Sequence, residues 1–141
     1  MMNIPFLDFS PMHRPLKEEM MKTFENFYES NWYVLGKEVQ KFEEKYADFN
    51  KTSFTIGVSN GLDALHLSLL SLDITTGDEV IVPSNTYIAS VLAISYVGAT
   101  PVFVEPKLNT YNIDPNLIEK AITSKTKVIM PVHLYGQACE M

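Results

Sequence analysis

From residue 54 onward the chain alternates short, unbroken apolar runs with helical patterns of about a dozen residues, and no other feature narrows its fold as much. Residues 54–58 form a β-prone run that meets the turn chemistry of Ser59-Asn60-Gly61. Leu62, Leu65, Leu69 and Leu72 then recur at helical spacing. The turn Thr75-Thr76-Gly77-Asp78 leads into an apolar strand over 79–83, and 85–96 reads as a helix stopped by Gly98. Residues 101–104 give another strand. Asp114-Pro115 opens a helix to about Ile122, the Asp as cap and the Pro at the first helical position. A last strand is expected over 128–132. Strands separated by helices require crossover connections, hence a mostly parallel sheet. Continuous apolar runs, in place of alternating ones, predict helices on both faces. The fold class is α/β.

Two amphipathic helices are expected upstream. Over 14–29, Leu16, Met20, Phe24 and Phe27 share a face, with Pro15 suited to the first turn. Asn31-Trp32-Tyr33-Val34-Leu35-Gly36 interrupts, and 37–49 resumes with Val39, Phe42, Tyr46 and Phe49. The expected organisation is a helical segment over 1–52 and an α/β portion over 53–141. The sequence stops at Gln137-Ala138-Cys139-Glu140-Met141, where another helix is due. The chain therefore reads as the front portion of a larger protein or a truncated gene product, and its open strand edges predict that the segment alone self-associates or is marginally stable.

Composition removes several function classes. Eleven Lys+Arg against seventeen Asp+Glu give a net charge of −6, with no basic row to track a phosphate backbone, so nucleic acid is not an expected partner. The uncharged run 80–103 is broken by Pro83, Ser84, Asn85, Gly98 and Pro101 and does not suit a membrane span. Residues 1–9 lack the pattern of a signal peptide. A single Cys139 forms no internal disulfide, which fits a cytoplasmic chain. His13, His66 and His133 are scattered and give no metal-ligand spacing.

Ligands of open parallel sheets bind beyond the C-terminal strand ends. Ser59-Asn60-Gly61-Leu62, Ser84-Asn85-Thr86-Tyr87 and His133-Leu134-Tyr135-Gly136-Gln137 are expected there. In the first, free amides and the helix dipole make an anion site, and a plain helix cap is an equal reading. Tyr87 stacks over a planar ligand or packs on the sheet. His133 is an acid–base or hydrogen-bonding group, or a histidine satisfied by backbone under its loop.

The ordered set Val34-Leu35-Gly36, Ser59-Asn60-Gly61-Leu62-Asp63-Ala64-Leu65, Gly77-Asp78-Glu79-Val80-Ile81-Val82-Pro83, Thr86-Tyr87-Ile88-Ala89, Tyr111-Asn112-Ile113-Asp114-Pro115 and Val132-His133-Leu134-Tyr135-Gly136-Gln137 resembles the DegT/DnrJ/EryC1/StrS family of pyridoxal-phosphate sugar aminotransferases. The likeness runs from Ile4 to the last residues. It implies the N-terminal part of the fold type I large domain, a mostly parallel sheet with flanking helices, preceded by two helices. Gly61-Leu62-Asp63 is similar to the subgroup acting on dTDP-linked 3-keto-6-deoxyhexoses. The resemblance implies that amides around Gly61 and Leu62 hold the phosphate of pyridoxal 5'-phosphate and that Asn60 shapes their turn. By the same likeness Tyr87 stacks on the pyridine ring, and Tyr33 lies near the nucleotide-sugar site. It also implies L-glutamate as amino donor, a nucleotide-linked keto-sugar as acceptor, and a homodimer. The family's Schiff-base lysine and ring-nitrogen aspartate lie downstream of the His133–Gln137 motif, and none of Lys107, Lys120, Lys125 or Lys127 takes the lysine's place. The expectation is a transaminase when full-length, with this segment inactive alone. The alternative is a non-catalytic truncated module that binds a phosphorylated ligand or a partner subunit. A Rossmann-like nucleotide-binding domain ranks third, lacking the glycine fingerprint.

Overall fold

The computed structural model describes residues 4–141, so the reading of residues 1–9 falls partly outside it. Packing divides the chain into two compact units, one up to Gly57 and one from Val58 to Met141.

The first unit holds α1 (Ser10–His13), α2 (Lys17–Glu29) and α3 (Lys37–Asn50). The single helix expected over 14–29 is corrected: residues 14–16 form a turn, and α2 starts after it. Pro15 has no N–H for a helical ladder, and the bonds spanning it (Leu16 N to His13 O, Lys17 N to Arg14 O) are tight three-residue turns. Ahead of α1, the Ser10 side chain and then its backbone N–H, at 2.8 Å, hold the Asp8 carboxyl below the usual range. The α2–α3 link is stiff. Trp32 Nε1 donates to Val34 O at 2.9 Å, and Asn31 and Leu35 adopt left-handed backbone (φ 52° and 50°). A Cβ on Gly36 would stand 2.8 Å from Trp32 O, so only glycine fits where α3 begins.

The strand expected over 54–58 is not formed. The segment makes no ladder among the described residues, and its Gly57 N–H goes to Glu43 Oε1 at 2.7 Å. β-Prone residues become a strand only with a neighbouring strand to pair with, and pairing is not a local property.

The second unit runs α4 (Gly61–Ser71), β1 (Glu79–Pro83), α5 (Ile88–Tyr96), β2 (Thr100–Val104), α6 (Pro115–Ala121) and β3 (Thr126–Ile129), then a 3-10 turn at Leu134–Gly136. The sheet is parallel in the order β2-β1-β3, with Ile81 opposite Val102 on one side and Ile129 on the other. β3 lies earlier than the expected 128–132. Met130 N still reaches Ile81 O at 2.8 Å, but Pro131 has no N–H to continue. The helix expected from residue 85 begins at Ile88, because Ser84 to Thr86 turn out of the strand.

Successive residues of β1 point to opposite faces. Val80 and Val82 join Leu69, Ala93, Ile94 and Met130 in one core, against α4 and α5. Ile81 joins Val104, Ile113 and Cys139 in the other, with Leu117 and Ile118 of α6. Val80, Ile81 and Val82 are fully buried. Each such side chain stabilises the fold by about 1.5–3 kcal/mol relative to exposure. At the end of α5, Gly98 (φ 78°) faces Thr76 Oγ1, which a Cβ would approach to 2.6 Å. Among the described residues no helix is long and apolar enough to cross a membrane.

Because β1 is central, the connection through α5 leads to β2 on one side and the connection through α6 leads to β3 on the other. The β1–β3 pair is thus the switch point, with its crevice beyond the carboxyl ends of those strands.

Candidate functional site

The first turn of α4 is built around Asn60. Its backbone is extended, and its Oδ1 accepts the Asp63 N–H at 2.9 Å while its own carbonyl accepts the Ala64 N–H at 3.1 Å. Of the first four amides of this helix, those of Gly61 and Leu62 have no acceptor among the described residues. These are the two amides the sequence points to. The two readings of this segment therefore coexist: Asn60 is a cap, and the cap leaves an adjacent pair of donors at the positive end of the helix. Asn60 Nδ2 also donates to Ser59 Oγ at 3.1 Å, and the Ser59 hydroxyl donates to Asp63 Oδ2. This bond holds the Asp63 carboxylate on the Ser59 side of the turn, a role that the sequence motif did not reveal. A Cβ built on Gly61 meets nothing within 4 Å, so no contact within the chain demands glycine there.

Tyr87 stands at the N-cap of α5, four residues past the end of β1. It is 76% exposed, which excludes the reading in which it packs on the sheet. Its ring has no aromatic partner among the described residues, whereas His66 and Tyr96, on the same helix pair α4 and α5, meet edge-on at 5.6 Å. Asn60, Gly61 and Leu62 are brought together at the start of α4, and Tyr87 at the start of α5, with the two helices packed in one unit.

Tyr33 belongs to the first unit. Its hydroxyl donates to Tyr28 O at 2.7 Å, and its ring packs edge-on against Phe27 at 5.2 Å. These contacts fix its position within the α2–α3 link.

Asn85 follows β1 and His133 follows β3, so the two lie on the loops that form the two lips of the switch point. His133 Nδ1 accepts the Cys139 N–H at 3.0 Å, so a neutral ring carries its proton on Nε2. Its backbone-satisfied reading thus holds for one nitrogen, and the residue itself is exposed. Cys139 is buried and donates its thiol to Val132 O at 3.1 Å, which is a structural role. Gln137 contributes its backbone carbonyl to Asn112. Asn112, named in a motif but given no role by the sequence, is 4% exposed and makes three side-chain hydrogen bonds to the loop after β3.

The donor set suits pyridoxal phosphate at two points. Paired free amides at a helix N-terminus accept an anion, and an exposed ring at an adjacent helix start offers a face to a planar heterocycle. A concavity of about 690 Å³ along Phe9, Leu16 and Met20 contains none of these residues.

The chain is similar to known proteins. The profile of the DegT/DnrJ/EryC1/StrS aminotransferase family matches residues 15–141. A dTDP-3-amino-3,6-dideoxy-alpha-D-galactopyranose transaminase from Aneurinibacillus thermoaerophilus is 58% identical over 98% of this chain and 38% of its own length. The crystal structure of S. venezuelae DesV superposes with a TM-score of 0.92 at 46% identity, over 99% of this chain and 38% of that one. NtdA from Bacillus subtilis, solved with bound PMP, gives a TM-score of 0.86 at 33% identity, over 99% of this chain and 33% of that one. The chain thus spans well under half the length of the relatives it matches, and it corresponds to their N-terminal part. With the family profile matched over residues 15–141 and 98% of its length aligned with a relative at 58% identity, the chain belongs to the DegT/DnrJ/EryC1/StrS aminotransferase family.

Proposed function

We propose that the whole protein is a pyridoxal-phosphate-dependent transaminase that moves an amino group from L-glutamate to a dTDP-linked keto-deoxysugar. The observation that carries this reading is the pair of unpaired amides at Gly61 and Leu62, left free by the Asn60 cap. When bound, the coenzyme supplies the electron-withdrawing ring on which amino transfer depends. This chain's residues hold and orient it. The Gly61 and Leu62 N–H groups donate to its phosphate, Asn60 keeps their turn in shape, and Tyr87 covers one face of the ring. Ser59 keeps the Asp63 carboxylate turned aside, which limits its repulsion of the phosphate.

Tyr33, fixed in the α2–α3 link, is the substrate-side residue of this reading. The Aneurinibacillus relative supports the choice of a nucleotide-linked sugar. Residues 1–52 then form a helical segment and 53–141 the start of the coenzyme domain. The intact protein acts as a cytoplasmic homodimer, and the 141-residue segment does not transaminate by itself.

Absorbance titration of the full-length protein with pyridoxal phosphate tests the reading. A near-visible band that glutamate bleaches is the expected result, and its absence refutes the reaction class. Gly61→Ala sharpens the assignment. The new methyl has room within the chain, so folding is unaffected, while coenzyme affinity falls because the methyl occupies the phosphate's approach. Unchanged affinity in that variant would remove the phosphate from this turn. Amino-sugar formation by the isolated segment would refute its inactivity.

A further inference from the structure

The three loops at the carboxyl end of the sheet are joined by a continuous set of hydrogen bonds. Asn85, on the loop after β1, donates Nδ2 to Tyr111 O at 2.9 Å. The next residue, Asn112, lies on the loop after β2. It donates Nδ2 to Gln137 O and Ala138 O, both at 3.0 Å, and accepts the Leu134 N–H on Oδ1 at 3.0 Å. All three of those partners lie on the loop after β3. The Tyr111–Asn112 peptide therefore ties the loop that carries Tyr87 to the loop that begins at His133.

The geometry of that last loop is imposed from outside it. Tyr135 holds left-handed backbone (φ 53°) while its side chain is 90% exposed, so no packing of its own explains the strain. Its amide and carbonyl anchors go to Asn112, and the Cys139 N–H adds the bond to His133. Tyr111 is left-handed as well (φ 59°), which aims its carbonyl at Asn85 while Asn112 turns inward. Asn112 is 4% exposed, and its side-chain N–H and C=O groups are all engaged. Replacing it leaves one amide and two carbonyls short of partners.

We propose that Asn112 is a positioning residue for the switch-point crevice, acting through Asn85 on one lip and the 133–138 loop on the other, so that the two lips order together when a ligand binds. The inference rests on the pyridoxal-phosphate reading for the identity of that ligand, and on hydrogen bonds alone for the link between the lips.

Amide hydrogen exchange on the full-length protein tests it. The Leu134 N–H reports the clamp directly, and Asn85 bonds to no atom of Leu134. Without coenzyme, Asn85→Ala is expected to speed Leu134 exchange about tenfold, the effect of one net hydrogen bond. Exchange equal to wild type would overturn the link. Pyridoxal phosphate is expected to slow Leu134 exchange in the wild type and to do so far less in Asn85→Ala; equal slowing in both would also overturn it. Asn112→Asp keeps the acceptor for Leu134 and loses both donations. A coenzyme dissociation constant raised about tenfold at pH 8, partly restored at pH 5 where a protonated carboxyl donates again, supports positioning. A folded Asn112→Asp with wild-type affinity and pH profile overturns it. Should that variant not fold, the exposed Asn85→Ala still decides. A wild type that binds no pyridoxal phosphate defeats the functional reading, while the coenzyme-free exchange comparison continues to judge the clamp.

Discussion

The two units of the chain carry equally regular apolar patterns and use them differently. In the second, β1 sends Val80 and Val82 to one side and Ile81 to the other, and helices close over both. In the first, α2 buries nothing and α3 buries only Ala47. Met20, Phe24, Phe42 and Phe49 share helix faces that remain exposed, Phe49 at 80%. Periodicity states which face of a helix is apolar; it does not state what covers that face. Fold stability in this chain accordingly resides in the three-stranded sheet and its helices.

The most direct way to break this contrast is to remove a side chain of similar character from each unit. Ile81→Ala is expected to cost about 2–5 kcal/mol by urea denaturation, since the cavity lies between β1 and α6. Phe24→Ala on exposed α2 should cost under about 0.5 kcal/mol. Equal losses would show that the N-terminal helices have a core of their own. Next in size is Gly98→Ala. It combines a positive φ with a 2.6 Å approach to Thr76 Oγ1 and should lose more than about 1 kcal/mol, against no loss for Gly61→Ala. Asn60→Ala removes the cap bond to Asp63 N and should cost about 1 kcal/mol, read from the helical circular dichroism melt. α3 has no side-chain cap to lose, so the same test there has no counterpart.

The smallest effect concerns the ion pair of Lys107 with Glu140, N to O at 2.8 Å. Glu140 holds the lysine's proton more tightly in the folded state and raises its pKa. The stabilisation is therefore complete below the ordinary lysine value and disappears as pH rises through the raised one. The stability difference between wild type and Lys107→Met should shrink over that alkaline range, and salt should reduce it at neutral pH. A difference independent of both would assign the effect to packing.

Where the sequence was legible, the signal was local. β1 matches its expected span because Gly77-Asp78 opens it and a proline ends an unbroken apolar run. Asp114-Pro115 starts α6 as expected, with Asp114 Oδ1 accepting the Asn116 N–H at 3.0 Å. Free amides in the 59–62 turn were legible for the same reason, since a cap and its free amides lie within four residues, while the Gly61 and Leu62 pair was named by the family resemblance. Residues 54–58 were misread because strand formation needs a partner elsewhere in space. The Pro15 turn was misread because one proline fits both a first helical turn and a helix break. Asn112 was illegible as a clamp, since its partners lie 22 to 26 positions away.

The order β2-β1-β3 also governs how the molecule is made. The central strand leaves the ribosome before either neighbour exists, carrying three consecutive side chains destined for complete burial. At about 5–20 residues per second, it waits seconds for the second strand and longer for the third. Until then a greasy ribbon with bare amides on both flanks is available to any passing nascent peptide. Chaperone demand during synthesis should therefore rise while the stretch between the first and third of these strands is emerging.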